Sequence, residues 1–78
     1  MDAVLWVLER PSPEARRLAS QRIRFTDPPV ENLPFACTTE NGRPWKSGAV
    51  IAAQVVSGNG DIYFRTRWTP YLLERVPF

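Results

Sequence analysis

An almost wholly apolar run, residues 48–56, and a run in which polar and apolar positions alternate, residues 61–68, flank Ser57-Gly-Asn-Gly60. Alternation with a period of two marks a half-buried strand, and Asn-Gly supplies the positive φ that tight turns demand, so the pattern predicts a β-hairpin. With Asn59 and Gly60 as the central turn residues, Val55 falls opposite Phe64, Ala53 opposite Thr66 and Ile51 opposite Trp68. Ile62 completes that mostly apolar face. The other face is mixed and collects Val50, Ala52, Gln54, Val56, Tyr63, Arg65 and Arg67. A turn centred on Gly58-Asn59 shifts the pairing but keeps these faces, whereas a three-residue loop exchanges them.

The flanking segments extend this picture. Ala3 to Leu8 is a continuous apolar run ended by Glu9-Arg10, the pattern of a strand buried on both faces, although periodicity alone leaves the start of a helix open. Ser12, Pro13 and Glu14 form a helix-start signature, which predicts a helix from Pro13 to about Ile23 with Ala15, Leu18, Ala19 and Ile23 as its narrow apolar stripe. Phe25 to Leu33, containing Asp27-Pro28-Pro29, reads as a loop, because two prolines remove donors and fix φ. Asn41-Gly42 marks a second hairpin between Phe35–Glu40 and the strand that begins near Pro44. Together the hairpins make a three-stranded antiparallel meander with Ser47-Gly48 as a bulge or bend. Without a bulge, Phe35 and Cys37 share the mixed face. Thr69-Pro70 opens one or two helical turns that stop before Pro77. The expected fold is therefore α+β: one domain over residues 1–78, with an N-terminal strand, one helix, the meander and a short C-terminal helical turn.

Composition narrows the chemistry. At 78 residues, 44% of them hydrophobic, the chain is near the size at which one core only just outweighs chain entropy, and a homodimer stays open. Net charge is only +2, yet nine of the ten cations are arginine, the side chain suited to bidentate contacts. Residues 10–24 carry five arginines against Glu14, while residues 25–42 carry Asp27, Glu31 and Glu40 with no cation. One cysteine excludes an intrachain disulfide, and without histidine a zinc site would need carboxylates and a lone thiolate. The N-terminal apolar run is too short for a membrane span and lacks a cationic leader, so the expectation is cytoplasmic.

Catalytic candidates are weak. Asp27, Glu31, Glu40 and Asp61 fall in loops or turns, Cys37 has no histidine to activate it, and Ser57-Gly-Asn-Gly60 joins two strands instead of a strand and a helix. No cofactor is expected. The sharpest pattern is Tyr63-Phe-Arg65-Thr-Arg67-Trp68, where cations and aromatics alternate. Arginine and aromatic side chains around small apolar residues are what interface cores contain. The expected function is therefore that of a small non-enzymatic protein that binds another protein, such as an inhibitor or accessory protein encoded by a phage. Its contact residues would be Tyr63, Arg65, Arg67, Gln54, Lys46, Arg43, Arg16 and Arg17. The alternative is nucleic-acid binding through the same arginine and aromatic groups.

Asn41-Gly-Arg-Pro44, Gly60-Asp-Ile-Tyr-Phe64, Thr66 and Thr69-Pro70 resemble the strand pairs of flavin-binding split barrels of the pyridoxamine-phosphate-oxidase type. The resemblance covers roughly thirty residues. It implies a flavin-binding split-barrel-like protein, the third reading, with Tyr71 at a position where that family often has a basic residue.

Overall fold

The computed structural model describes residues 1–76. They form six strands: β1 (Asp2–Leu8), β2 (Arg17–Arg24), β3 (Pro34–Thr39), β4 (Pro44–Val55), β5 (Ile62–Thr66) and β6 (Pro70–Arg75). Every strand pairs antiparallel with the next, and β6 pairs back onto β1 to close a barrel. The architecture is all-β, and among the described residues there is no helix, which corrects the α+β expectation.

The segment expected to be helical is β2. Its start signature is real, because the Glu14 N–H donates to Ser12 Oγ at 3.3 Å and the Ala15 N–H to the Ser12 carbonyl at 3.0 Å. The turn does not propagate. A helix nucleus needs a packed apolar face to extend it, and the strand conformation instead carries Ile23 to a buried site opposite Ala3. Leu18, assigned to the helical stripe, is the extra residue of a bulge between Val7 and Leu8 and is 53% exposed.

The C-terminal turn is corrected in the same way. Thr69-Pro70 closes a short connection in which the Thr66 N–H donates to the Thr69 carbonyl at 2.9 Å, and Pro70 opens β6, where a missing donor is tolerated. Strands β1 and β5 flank β6, with Leu73 opposite both Leu5 and Ile62. Pro77 and Phe78, where the expected helical turns end, lie outside the described residues.

The N-terminal strand and the meander form as expected. Both Asn-Gly turns, however, sit one residue earlier than a two-residue Asn-Gly turn requires. The Gly60 N–H donates to the Ser57 carbonyl at 3.2 Å and the Gly42 N–H to the Thr39 carbonyl at 2.8 Å. Within these two turns only the glycines take positive φ, +85° at Gly60 and +81° at Gly42. The first hairpin is therefore centred on Gly58-Asn59, and Val55 pairs with Ile62 instead of Phe64.

Strand β4 pairs with β3 through its first half and with β5 through its second. It carries an extra residue in each pairing. One lies at Ser47-Gly48, where Ser47 Oγ accepts from the Phe35 N–H at 2.9 Å and donates to the Gly48 carbonyl at 2.7 Å. This bulge turns Phe35 and Cys37 inward and removes them from the mixed face. The second is Ile51, between Val50 paired with Thr66 and Ala52 paired with Arg65. It reverses two face assignments: Val50 is 0% exposed, whereas Ile51 is 46% exposed. Val55 and Trp68, also assigned to the apolar face, are exposed as well.

The barrel interior holds a run of aromatic rings. Phe25 meets Phe35 edge-on, Phe35 meets Phe64 with centroids 5.2 Å apart, Phe64 stacks on Tyr71 at 5.0 Å, and Tyr71 meets Trp45 edge-on. Such pairs add about 0.5–1.5 kcal/mol each beyond the area they bury. A second, smaller core lies outside the barrel wall. Leu8, Ala15, Tyr63 and Leu72 are buried there, flanked by Trp6 and Val56. Residues 9–16 supply the cover through Ala15, which explains why β1 reads as an unbroken apolar run.

Candidate functional site

The eight residues expected at a contact surface separate into three groups. Arg65 and Arg67 come together at the β5–β6 connection, where a shallow depression of about 150 Å³ is lined by Pro11, Arg65, Thr66, Arg67, Trp68, Thr69 and Pro70. The Arg67 guanidinium lies over the Trp68 ring at 4.9 Å from its centroid, and Trp68 is 82% exposed. Gln54 is exposed on the neighbouring strand, opposite Tyr63. Tyr63 itself belongs to the outer core and is 7% exposed, so its ring serves packing. Burial pushes its phenol up, with Arg65 acting partly against this.

Arg16 and Arg17 form the second group, at the β1–β2 connection. Arg17 donates to Glu74 Oε2 at 3.1 Å and covers the Trp6 ring at 5.1 Å, while the Trp6 indole N–H donates to Glu74 Oε1 at 3.3 Å. Arg16 meets Glu9 at 3.5 Å. The same connection reaches the first group through Pro11.

Arg43 and Lys46 are the third group. Lys46 stands opposite Ala36 on the half of β4 that pairs with β3, and Arg65 stands opposite Ala52 on the half that pairs with β5. The two extra residues bend the strand between them. Arg43 and Lys46 are both exposed, and Arg43 leaves the β3–β4 turn with its N–H on Thr39 Oγ1 at 3.3 Å.

The sequence pattern misses Trp68 as a surface group, because extending the period-two alternation past Thr66 assigns it inward. The signal against this is Thr69-Pro70, which ends the strand before Arg67.

The Asp61 carboxylate accepts the Arg75 N–H at 2.9 Å and ties the β4–β5 turn to β6. Cys37 is a buried free thiol, pushed up by burial, on the inner face of β3. Among the described residues, no group of three or more His, Cys, Asp or Glu is placed to hold a metal ion, and no helix is long and apolar enough to cross a membrane.

The residues that resemble flavin-binding split barrels fall at the β3–β4 turn, the start of β5 and the β5–β6 connection. Comparison with protein families, curated proteins and solved structures gives no match, so that resemblance gains no support from them.

Proposed function

We propose that this chain is a small non-enzymatic protein that binds another protein, and that the contact is centred on Trp68, Arg67 and Arg65. The observation that carries this reading is the exposure of Trp68 under the Arg67 guanidinium. An indole left in water beside two arginines matches the side chains that dominate protein–protein binding energy, and the depression next to it offers a recess for a partner side chain. Gln54 on the next strand and Arg16 on the loop that contributes Pro11 would form the polar rim. An inhibitor or accessory protein encoded by a mobile element such as a phage is the kind of molecule this describes. The reading places it in the cytoplasm, where the free Cys37 would stay reduced.

The test is capture of partners from the native cell with wild-type protein, with the Arg65→Glu, Arg67→Glu double variant and with Trp68→Ala, each with nuclease treatment. The expected result is a nuclease-resistant partner that both variants lose while their thermal unfolding stays cooperative. A partner retained by both variants refutes the surface.

The Arg67–Trp68 stack is also a platform on which a base can sit. Capture abolished by nuclease, together with retardation of single-stranded nucleic acid that weakens steeply with salt, would favour that second reading.

A further inference from the structure

The barrel wall is not continuous between β2 and β3. These strands pair only at Ile23 with Thr39 and Arg24 with Thr38, after which β3 turns away at residues 40–42 while β2 continues back to Arg17. Side chains at this seam report the opening. Ala3 and Ile23 face inward and are buried, whereas Ala19 and Gln21, also in inward register opposite Val7 and Leu5, are exposed. A cleft of about 210 Å³ enters the wall here, lined by Leu5, Val7, Ala19, Ser20, Gln21, Trp45 and Tyr71.

The backbone at this edge has its own direction. The Phe25 N–H donates to the Met1 carbonyl at 2.9 Å and the Met1 ammonium to the Phe25 carbonyl at 2.7 Å, so positions 1 and 25 exchange bonds. Antiparallel pairing alternates, which gives Ile23, Gln21 and Ala19 the remaining bonds to β1 and turns the Ser20 N–H and C=O away from it. Among the described residues, no strand lies opposite Ser20 on that side. A row of unpaired backbone groups on a sheet edge is a template for another strand.

We propose that this edge of β2 takes up an extended acidic segment of another protein as an added strand, with alternate apolar side chains entering the cleft against Trp45 and Tyr71. Charge selects the occupant. Strand β2 carries Arg17, Arg22 and Arg24 and no acid. Arg17 and Arg24 are paired with Glu74 and Asp2, while Arg22 has no ion pair among the described residues. The side chains of Arg22 and Ser20 lie on the outer face, so an incoming strand that places apolar residues inward presents its outward residues beside Arg22. Glu40 is the one carboxylate at the adjoining β3–β4 turn. A second copy fits poorly, because β2 carries no acid to place beside Arg22 of the other chain. This edge is distinct from the Trp68 surface, and the proposal does not rest on that surface.

The experiment titrates isotope-labelled full chain with a blocked peptide alternating glutamate and valine. About six residues match the free part of β2, residues 17–22, at ~3.3 Å per residue, and a length of about nine leaves a margin at the ends. A lysine–valine peptide and a glutamate–valine peptide with central proline serve as comparisons. The expected result is shifts confined to Val7, Ser20, Gln21, Trp45 and Tyr71, with exchange of the Ser20 amide slowed by about tenfold or more on binding. The lysine peptide should fail, and the proline peptide should bind more weakly. Ser20→Pro should lose binding while the β1 and β6 resonances stay in place, and Arg22→Glu, which leaves the backbone untouched, should favour the lysine peptide over the glutamate one. The proposal is overturned if the glutamate–valine peptide produces no shift at any soluble concentration, or if both charge types bind alike. It is equally overturned if the shifts appear at Arg65 to Trp68, or if Ser20 becomes protected with rising protein concentration and no peptide, the mark of a second copy.

Discussion

Replacing Val50 and Ile51 by alanine, one at a time, tests the bend in β4. Regular alternation from the hairpin makes Ile51 the core residue and Val50 the wet one, whereas the extra residue at Ile51 reverses this. Val50 is 0% exposed. Val50→Ala deletes two buried carbons, worth about 0.8 kcal/mol each. The cavity left beside Phe64 adds about 1 kcal/mol, for a cost near ~2.5 kcal/mol. Ile51→Ala deletes three carbons from a residue that is 46% exposed and leaves no enclosed cavity, so its cost should be about 1 kcal/mol at most. A chain of this length has about 4–12 kcal/mol of stability in total, so the difference is readily measured. In urea, with a slope of about 1 kcal/mol per molar, the midpoint should fall by about 2.5 M for Val50→Ala and by about 1 M or less for Ile51→Ala. Equal shifts, or a larger one for Ile51→Ala, would refute the bulge and with it the placement of both halves of β4.

Further outcomes follow from the same geometry. Tyr63→Ala should cost about 3 kcal/mol, since its buried ring joins Leu8, Ala15 and Leu72, and chemical denaturation checks this; a neutral effect would mean that the outer core does not form. Gly60→Ala should cost about 1 kcal/mol, because φ +85° strains any residue with a Cβ, while Gly58→Ala, where φ is not positive and a Cβ would meet nothing within 4 Å, should cost less. Burial pushes Cys37 and Tyr63 up, so both groups hold their protons more tightly folded than unfolded. That contribution is complete at neutral pH and declines as pH rises through the ordinary thiol and phenol ranges, so urea midpoints should fall on alkaline titration, and less steeply in Cys37→Ala.

Strands covered on one face, or on both by unbroken apolar runs, were legible: β1, β5 and the two glycine turns follow from local pattern. Residues 12–23 were not, because Ser12, Pro13 and Glu14 carry a strong local helix signal. The competing strand signal, Gln21-Arg-Ile-Arg-Phe25, is short and obtains its burial from residues distant in sequence, Ala3 on the adjacent strand and Phe35. Thr69-Pro70 misled similarly, since β6 is specified by its neighbours β1 and β5 more than by its own residues. Of the proposed contact surface, the proximity of Arg65 and Arg67 was legible. Their relation to Trp68, and the burial of Tyr63, depend on where β5 ends and on how residues 9–16 fold across the wall. The open edge of β2 could not be read at all while that segment was expected to be a helix.

The closed barrel, with β2 as a half-paired strand in its wall, is tested most directly by residue-resolved amide hydrogen exchange in the free protein. Ala19, Gln21 and Ile23 should be protected with Ser20 exchanging fast between them, and both Trp6 and Leu72 should be slow, since the alternation that bonds the Val76 N–H to the Asp2 carbonyl makes them exchange bonds across the closure of β1 on β6. Continuous protection from Ala15 to Ile23, as a helix gives, or fast exchange at Trp6 and Leu72 would contradict it.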